Sequence, residues 1–246
     1  MRRYGLIGKV LGHSFSARYF AQKFEREGLS SVCHYGLYEL PEIGDVVRFV
    51  QETEGLVGFN VTIPYKQQII PYLDSMSAEA ANVGAVNCVK IMPDGTLKGY
   101  NTDVDGVRFT LDRLVGSADV GGALVLGSGG ASQAVKYVLE ERGIPYMIVS
   151  REQSKGDIIY DQLTREVMAD NRLIINASPV GMYPHVDDAP AIPYNLLSSS
   201  HYLFDLVYNP ERTKFMELGS EIGAHAVSGL DMLYTQAESA WKIWNE

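Results

Sequence analysis

Residues 121–143 read GGALVLGSGGASQAVKYVLEERG and place an apolar strand, a glycine-rich turn and a helix in direct succession. Within this stretch Gly127 permits a tight turn, Gly129 lets the backbone approach a ligand, and the small Ser132 permits close packing of the helix on the strand. The start of such a helix offers N–H groups and a positive dipole end to phosphate. An ordinary glycine turn is the alternative, but the flanking strand and helix favour binding of a dinucleotide pyrophosphate.

The segment after the next predicted strand carries basic side chains where a site for NAD would carry an acidic one. That strand ends at Val149, and SREQSK follows as residues 150–155, with Arg151 at the strand tip and Lys155 close behind. A carboxylate about 20 residues after the glycine turn holds the ribose 2′-hydroxyl of NAD, whereas a guanidinium fits a 2′-phosphate. The pattern predicts NADP rather than NAD. A pair of solvated surface cations is the alternative, and Glu152 between them weakens the phosphate interpretation.

Short apolar runs alternate with helical patterns along the chain, which predicts an α/β fold with parallel strands. We expect a first α/β domain at 1–101, a nucleotide-binding domain at 102–228, and a C-terminal helix at 229–246 that returns to the first domain. An antiparallel hairpin is predicted from Ala85–Met92 and Leu97–Tyr100. The other predicted strands are Arg3–Ile7, His34–Leu40, Leu56–Val61, Pro145–Val149, Leu173–Asn176, Tyr202–Asp205 and Ala224–Ser228, and the predicted helices are Ala17–Arg26, Val104–Leu114, Ala131–Glu141 and Asp231–Trp244.

The composition predicts a folded protein whose partner is a small molecule rather than nucleic acid or a membrane. Of the 246 residues 46% are hydrophobic, and the net charge of -9 is opposite to that of a typical nucleic-acid binder. No run approaches about 18 apolar residues, and Gly8 and Lys9 interrupt the N-terminal run, so we expect neither a transmembrane helix nor a signal peptide. The separated Cys33 and Cys88 fit a reducing compartment, and we expect a cytoplasmic monomer or homodimer. The five histidines show no paired ligand spacing, and we expect no metal site.

Three polar motifs interrupt the apolar segments of the first domain, namely residues 12–16 (GHSFS), 58–66 (GFNVTIPYK) and 101–103 (NTD). Polar residues just past the strand ends of an α/β domain face the ligand crevice, so these motifs are candidates for substrate binding. Each motif also has a structural alternative. Ser14 and Ser16 could cap a helix, Lys66 could be a solvated lysine in a first turn, and Asp103 could cap a helix that begins at Val104.

Taken in order, the motifs of the whole chain resemble those of the shikimate dehydrogenase family. The resemblance runs from the first loop to the last helix and so covers nearly the full length. The motifs that carry it are HSFS (13–16), NVTIPYK (60–66), GAVNCV (84–89), GYNTDVDG (99–106), LGSGGAS (126–132), NASPVGMYP (176–184), FDLVYNP (204–210) and GLDMLYTQA (229–237).

The resemblance implies an N-terminal substrate domain and a C-terminal Rossmann domain that binds NADP(H), with a cleft between them. It also implies reversible reduction of 3-dehydroshikimate to shikimate by NADPH, a step of chorismate and aromatic amino-acid biosynthesis. The implied substrate residues are Ser14 and Ser16 for the carboxylate, Thr62, Lys66, Asn87, Asp103 and Gln236 for the hydroxyls and the reacting oxygen, and Tyr208 at the border of the substrate. The implied cofactor residues are Gly127, Ser128, Gly129, Gly130, Ala131, Ser150, Arg151 and Lys155, with Leu206 and Gly229 near the nicotinamide.

The chain departs from the family pattern in two loops. The first loop has Val10-Leu11-Gly12 where a proline often precedes His-Ser, although both serines remain. The usual Asn-Arg-Thr on the adenine side is Ser150-Arg151-Glu152, with Lys155 in the second basic place. The segment between Lys155 and the strand at Leu173 is also short, so we expect this half of the nucleotide-binding domain to be trimmed.

Ketone reduction puts negative charge on oxygen and needs a proton donor within hydrogen-bond reach of it. Lys66 and Asp103 are the two candidates, and the sequence leaves open which of them transfers the proton, with Lys66 preferred. No residue in 12–16 is evidently assigned to the extra hydroxyl of quinate, so shikimate is expected over quinate. A quinate or mixed quinate/shikimate dehydrogenase that uses NAD or NADP is the alternative within the superfamily. A non-catalytic NADP-binding regulatory module is the alternative from another class.

Overall fold

The computed structural model describes residues 1–12 and 14–246, so His13 of the first polar motif lies outside the described residues. The described residues form two six-stranded sheets with helices between the strands, which confirms the predicted α/β class. The strands are β1 Arg2–Gly8, β2 Cys33–Glu39, β3 Leu56–Val61, β4 Ser75–Met76, β5 Cys88–Ile91, β6 Leu97–Tyr100, β7 Ala123–Leu126, β8 Tyr146–Ser150, β9 Ile158–Ile159, β10 Leu173–Asn176, β11 Tyr202–Asp205 and β12 His225–Ser228. The helices are α1 Phe15–Arg26, α2 Val46–Glu52, α3 Ala78–Val83, α4 Asp103–Leu114, α5 Gly130–Glu141, α6 Arg165–Asp170, α7 Lys214–Glu221 and α8 Leu230–Asn245.

The first sheet has the strand order β2-β1-β3-β5-β6-β4. Strand β1 is parallel to β2 and β3, whereas β5 is antiparallel to β3 and β6. The predicted hairpin is therefore present as β5 and β6. This arrangement brings the carboxyl ends of β1, β3 and β6 and the amino end of β5 to one edge of the sheet. The segments that leave this edge carry the three polar motifs of the first domain.

The second sheet has the order β12-β11-β10-β7-β8-β9, and every neighbouring pair in it is parallel. This is the strand order of a Rossmann-type domain, in which ligands bind where the order reverses, outside the carboxyl ends of the strands. The reversal occurs at β7, whose carboxyl end leads into the glycine turn. A short 3-10 turn, Gln153–Lys155, stands between β8 and the two-residue β9 in place of a full helix. The segment between Lys155 and Leu173, where trimming is expected, contains β9 and the six-residue helix α6.

An aromatic core lies between the first sheet and the helices α1 and α8. Phe20 of α1, Tyr4 of β1 and Trp244 of α8 are almost fully buried together. Burial of large aromatic side chains is a major source of stability. The buried Lys23 of α1 also forms an ion pair with Glu238 of α8 at 2.8 Å. The C-terminal end of α8 is therefore fixed to α1 by both apolar and ionic contacts.

The chain forms two compact units, Met1–Thr102 with Ala237–Glu246, and Asp103–Gln236. The division falls inside α8, since Leu230–Gln236 of this helix belongs to the second unit and the remainder to the first. The sequence predicts this division at 228/229, before the helix, whereas it lies between Gln236 and Ala237. The amphipathic pattern of the helix does not indicate that its two ends pack in different units. Each unit is described separately below.

Candidate functional site

In the first unit, the candidate substrate residues gather at the edge of the sheet where the polar motifs begin. Thr62 directly follows β3, and its N–H donates to the Ile7 carbonyl of β1 at 3.0 Å. Lys66 lies further along the same segment, and its carbonyl accepts from the Val86 N–H at 2.7 Å, close to the start of β5. These backbone bonds fix the segment that carries Thr62 and Lys66 against two strands. The Lys66 side chain is half-buried, not fully solvated as its structural alternative required.

The two serines of the first loop occupy the start of α1. Ser14 is the N-cap residue, but its hydroxyl makes no capping hydrogen bond within the described part of this loop. Ser16 lies in the first turn of the helix and its hydroxyl bonds to the Tyr35 hydroxyl of β2. The capping alternative therefore has no support for the Ser14 side chain, and Ser16 is engaged by a neighbouring strand.

A chain of buried neutral groups extends from Ser16 across the sheet. The Tyr35 hydroxyl donates to Asn60 Oδ1 at 2.8 Å, and Asn60 Nδ2 donates to the Asn87 carbonyl at 3.1 Å. The N–H and hydroxyl of Thr102 both donate to Asn87 Oδ1, at 2.7 and 3.2 Å. We call Ser16, Tyr35, Asn60, Asn87 and Thr102 the neutral chain. Because Asn87 Oδ1 accepts both Thr102 donors, the orientation of the Asn87 carboxamide is fixed.

Sequence reasoning missed three members of the neutral chain. Asn60 and Thr102 lie within motifs that we quoted, but they received no role. Tyr35 lies in a predicted strand, where an aromatic residue is ordinary, and nothing in its sequence context indicates a polar partner. Burial raises the pKa of Tyr35 well above its usual value, so it remains neutral at physiological pH.

Asp103 opens α4 in the second unit and is nearly fully buried. The helix begins at Asp103 and not at Val104, so Asp103 lies in the first turn, where the helix dipole favours a carboxylate, and not at the cap position of the structural alternative. Lys66 belongs to the first unit and Asp103 to the second. Their joint action on one reacting oxygen is therefore a prediction about function.

The glycine turn of the second unit has the geometry that its sequence predicts. Gly127 has φ +108, a value that favours glycine, and a Cβ there would lie 3.2 Å from Ser178 Cβ. A Cβ at Gly129 or Gly130 would meet nothing within 4 Å, so this face is open to a ligand. The buried Ser132 donates through its hydroxyl to the Gly129 carbonyl at 2.6 Å and closes the first turn of α5. An open turn at a helix N-terminus fits a pyrophosphate.

In the segment after β8, one of the two predicted phosphate-binding residues is already paired with a carboxylate. Arg151 is exposed, as a contact to a ligand phosphate requires. The Lys155 ammonium, by contrast, forms an ion pair with the Glu152 carboxylate at 2.8 Å, and both side chains are exposed. This hydrogen bond and the lysine charge lower the pKa of Glu152. The basic segment thus contains the carboxylate of Glu152, as the sequence indicates, and this carboxylate is paired with Lys155.

A buried carboxylate, Asp205, joins the ends of β10 and β11. It accepts from the Thr213 hydroxyl at 2.5 Å, the Val207 N–H at 3.0 Å and Asn176 Nδ2 at 2.9 Å. Asn176 Oδ1 in turn accepts from the Ser178 hydroxyl at 2.6 Å and from its N–H at 3.1 Å. We call Asp205, Asn176, Thr213, Val207 and Ser178 the Asp205 network. All its members except Thr213 lie in the motifs at 176–184 and 204–210, but no role is predicted from the sequence for Asp205 or Asn176.

The remaining candidates lie near this network or on α8. A Cβ at Gly229 would lie 2.3 Å from the Leu206 carbonyl oxygen, so these two candidate residues are in contact. Tyr208 is half-buried, and burial raises its pKa. Gln236 is buried on α8, and its Nε2 donates to the Leu233 carbonyl at 3.1 Å.

Two kinds of feature are absent from the part of the chain that the structure describes. No helix among them is long and apolar enough to cross a membrane. No group of three or more His, Cys, Asp or Glu side chains within residues 1–12 and 14–246 could hold a metal ion.

Comparison with known proteins identifies the family. The family model described as "Shikimate dehydrogenase substrate binding domain" matches residues 6–89. Shikimate dehydrogenase (NADP(+)) of Clostridium beijerinckii is 35% identical, over 100% of this chain and 93% of the relative. The structure of shikimate 5-dehydrogenase from Thermus thermophilus in complex with NADP(H) and shikimate aligns with a TM-score of 0.85 at 30% identity, over 99% of this chain and 93% of that one. Quinate dehydrogenase from Corynebacterium glutamicum in complex with NAD aligns with a TM-score of 0.88 at 25% identity, over 99% and 93%. The chain therefore belongs to the shikimate dehydrogenase family.

Proposed function

We propose that this chain is an NADP-dependent shikimate dehydrogenase, which reversibly reduces 3-dehydroshikimate to shikimate with NADPH in chorismate biosynthesis. The observation that carries the proposal is full-length similarity at 35% identity to an enzyme of that name. The open glycine turn at the reversal point of a Rossmann-type sheet supports it independently. On this proposal the first unit is the substrate domain, the second is the cofactor domain, and the protein acts in the cytoplasm.

The residues of the second unit fit the cofactor. The glycine turn and the start of α5 would hold the pyrophosphate through backbone N–H groups, and the exposed Arg151 would hold the 2′-phosphate. Lys155 would assist after exchanging its Glu152 partner for the phosphate, and Leu206 and Gly229 would border the nicotinamide. The full set proposed to hold NADP(H) is Gly127, Ser128, Gly129, Gly130, Ala131, Ser150, Arg151, Lys155, Leu206 and Gly229.

The residues proposed to bind the substrate are hydroxyls, amides and ionisable groups, as a polyhydroxylated acid requires. Ser14 and Ser16 would donate to its carboxylate. A site built from hydrogen-bonding groups discriminates strongly against ligands that leave those groups unpaired. The groups proposed for the hydroxyls and the reacting oxygen are Thr62, Lys66, Asn87, Asp103 and Gln236, with Tyr208 at the border.

The chemistry needs one proton donor at the reacting oxygen. NADPH, when bound, supplies the hydride that reaches the carbonyl carbon. The Lys66 ammonium would donate a proton to the oxygen as its negative charge develops, and in shikimate oxidation the lysine amine would take the proton back. Asp103 would orient the ammonium and favour its charged form.

A direct assay tests the proposed function. Purified protein is mixed with shikimate and NADP, and formation of NADPH is followed by its absorbance. We expect turnover with shikimate and none with cyclohexanol, which has a single hydroxyl and leaves the other polar groups of the site unpaired. The absence of turnover with shikimate and either cofactor would reject the proposal.

A second candidate is a quinate or mixed quinate/shikimate dehydrogenase that uses NAD. The ion pair between Glu152 and Lys155 favours this candidate, because a carboxylate beside the 2′ position repels a phosphate and can accept from a ribose hydroxyl. Kinetics with both acids and both cofactors separate the two candidates.

A further inference from the structure

Asp205 is a fully buried carboxylate whose hydrogen-bond partners are all neutral. It is the last residue of β11 and has no exposed surface. Transfer of a carboxylate into a protein interior is costly, and neutral donors offset only part of that cost. Burial accordingly raises the pKa of Asp205 to about 6, against hydrogen bonds that lower it. Stability alone therefore gives no reason for an acid at this position.

The Asp205 carboxylate fixes both ends of the segment that follows β11. Its Oδ1 accepts from the Val207 N–H, and its Oδ2 accepts from the Thr213 hydroxyl at the N-cap of α7. Val207 lies between Leu206 and Tyr208, two residues that the proposed function places beside the nicotinamide and the substrate. One carboxylate thus determines the path of this segment.

The same carboxylate reaches the glycine turn through the neighbouring strand. Asn176 at the end of β10 donates to Asp205 and accepts both donors of Ser178. Ser178 in turn packs against Gly127, whose added Cβ would lie 3.2 Å from its own. The loops that follow β7, β10 and β11 are therefore linked through Asp205.

We propose that Asp205 is a positioning residue, which in its ionised form holds the loops after β10 and β11 against the glycine turn and so sets the place of the nicotinamide half of the dinucleotide. This inference rests on the proposed function, because that function assigns these loops to the cofactor.

Protonation of Asp205 weakens this arrangement, because it removes the negative charge and reverses one hydrogen bond. A carboxylate is an acceptor only, whereas a carboxylic acid must donate one hydrogen bond. Val207 and Asn176 both donate to Oδ1, so the proton resides on Oδ2. There the Thr213 hydroxyl must turn from donor to acceptor, and the two bonds to Oδ1 lose their charge assistance. Tyr194 is the titratable group that interacts with Asp205 among the described residues, and burial, followed by the Asp205 charge, raises its pKa. Tyr194 therefore stays neutral while Asp205 titrates.

The effect on function is opposite to the effect on folding. Because the folded-state pKa of Asp205 lies above its unfolded value, proton uptake by Asp205 stabilises the folded chain as the pH falls through about 6. We expect the same uptake to weaken cofactor binding. A loss of function at acid pH without loss of folding distinguishes positioning from general support of the structure.

The test compares matched threonine variants. Thr213→Val removes a donor that lowers the pKa of Asp205, and Thr213→Ser retains it. Thr164→Val is the control, since Thr164 caps α6 as Thr213 caps α7, each accepting from a backbone N–H at 3.4 Å, but Thr164 makes no bond to Asp205 in the described structure. The Kd for NADP by calorimetry and kcat/KM for NADP are measured from about pH 5 to pH 9.

We expect the loss of NADP binding and of kcat/KM at acid pH to move up by about one pH unit in Thr213→Val, since the variant loses a hydrogen bond that stabilises the ionised form of Asp205. Thr213→Ser and Thr164→Val should follow the wild type. The 2′-phosphate of the cofactor also titrates near pH 6, but it is common to all four proteins and cannot produce a difference between them.

Asp205→Asn gives a second, independent arm. The variant cannot ionise: its Oδ1 accepts from Val207 and Asn176 without charge assistance, and its amide NH2 faces Thr213, whose hydroxyl must turn to accept. We expect NADP binding at about pH 8 to weaken roughly tenfold, with circular dichroism unchanged and the Asp205-dependent acid-side loss absent. Two results would overturn this inference: a loss of binding at acid pH that does not move in Thr213→Val, or NADP binding as tight in Asp205→Asn as in the wild type. If the wild type still turned over shikimate, the proposed function would stand in either case. Absence of wild-type turnover would overturn both.

Discussion

The two units organise their loops with buried polar networks of different chemistry. The neutral chain of the first unit joins Tyr35, Asn60 and Asn87 through hydroxyl and amide groups. The Asp205 network of the second unit gathers three donors on one carboxylate. Both networks lie at strand ends, where parallel sheets collect functional loops. The difference teaches that two similar positioning tasks are performed with and without a group that ionises near neutral pH.

This chemical difference has a physical consequence for pH dependence. Amides and hydroxyls both donate and accept, so the neutral chain satisfies itself without charge. A carboxylate accepts only, and its hydrogen bonds depend on ionisation. The hydrogen bonds of the neutral chain should accordingly be insensitive to pH over the range in which those of the Asp205 network change.

The largest expected effect is the loss of turnover when the proposed proton donor of the first unit, Lys66, is replaced. Lys66→Ala should lower kcat by about 10²–10⁴-fold with the fold retained, because general acid catalysis contributes that much. Combined with Asp103→Asn, the loss should be much smaller than the product of the two single losses. Single-turnover kinetics measure both. The lysine Lys90 of β5 has no role in the proposal, so Lys90→Ala serves as the control. Near-normal turnover of Lys66→Ala would assign the proton to another group.

The next effect concerns the cofactor side alone. Arg151→Ala should lower kcat/KM for NADP by about 10–100-fold, since it removes charge-assisted hydrogen bonds to the 2′-phosphate. Because NAD lacks that phosphate, kcat/KM for NAD should remain within about twofold. Arg165→Ala on α6 controls for general loss of positive charge. Equal losses for both cofactors would show that Arg151 does not read the phosphate.

A smaller effect compares the charged network at two pH values. At about pH 5 the folded state holds a proton on Asp205 that the unfolded chain largely lacks, so the wild type should gain about 1–1.5 kcal/mol relative to Asp205→Asn. At about pH 7.5 this contribution vanishes. Urea unfolding of both proteins at the two pH values measures the difference. If the free energy of unfolding of the wild type did not increase relative to that of Asp205→Asn on going from about pH 7.5 to about pH 5, the raised pKa of Asp205 would be contradicted.

The smallest effect belongs to the neutral chain. Tyr35→Phe removes the donor to Asn60 Oδ1 and should cost about 1 kcal/mol of unfolding free energy. Since burial keeps Tyr35 neutral, the cost should be equal at about pH 5.5 and pH 8. The shikimate KM should rise a few-fold, because Ser16 and Asn87 are joined through Tyr35. A cost that changes with pH would break the contrast between the two networks.

The elements most accessible to sequence reasoning are those with local signals. The strand, glycine turn and helix of residues 121–143 are contiguous, and their spacing alone predicts the cofactor domain. The bonds from Tyr35 to Asn60 and from Asn176 to Asp205 span 25 and 29 residues of sequence. No periodicity or motif spacing encodes which distant acceptor a buried hydroxyl or amide will meet. The two-residue strands β4 and β9 are likewise too short to produce a pattern.

The most direct test of the account is the set of kcat/KM values of the wild-type protein for shikimate and quinate, each with NADP and with NAD, followed by absorbance of the reduced nicotinamide. The two serines at the start of α1 and the neutral chain offer no evident partner for the additional hydroxyl of quinate, and the exposed Arg151 favours a 2′-phosphate. We predict that shikimate with NADP gives the highest value of the four. A value for quinate equal to or above that for shikimate, at saturating NADP, would contradict the account.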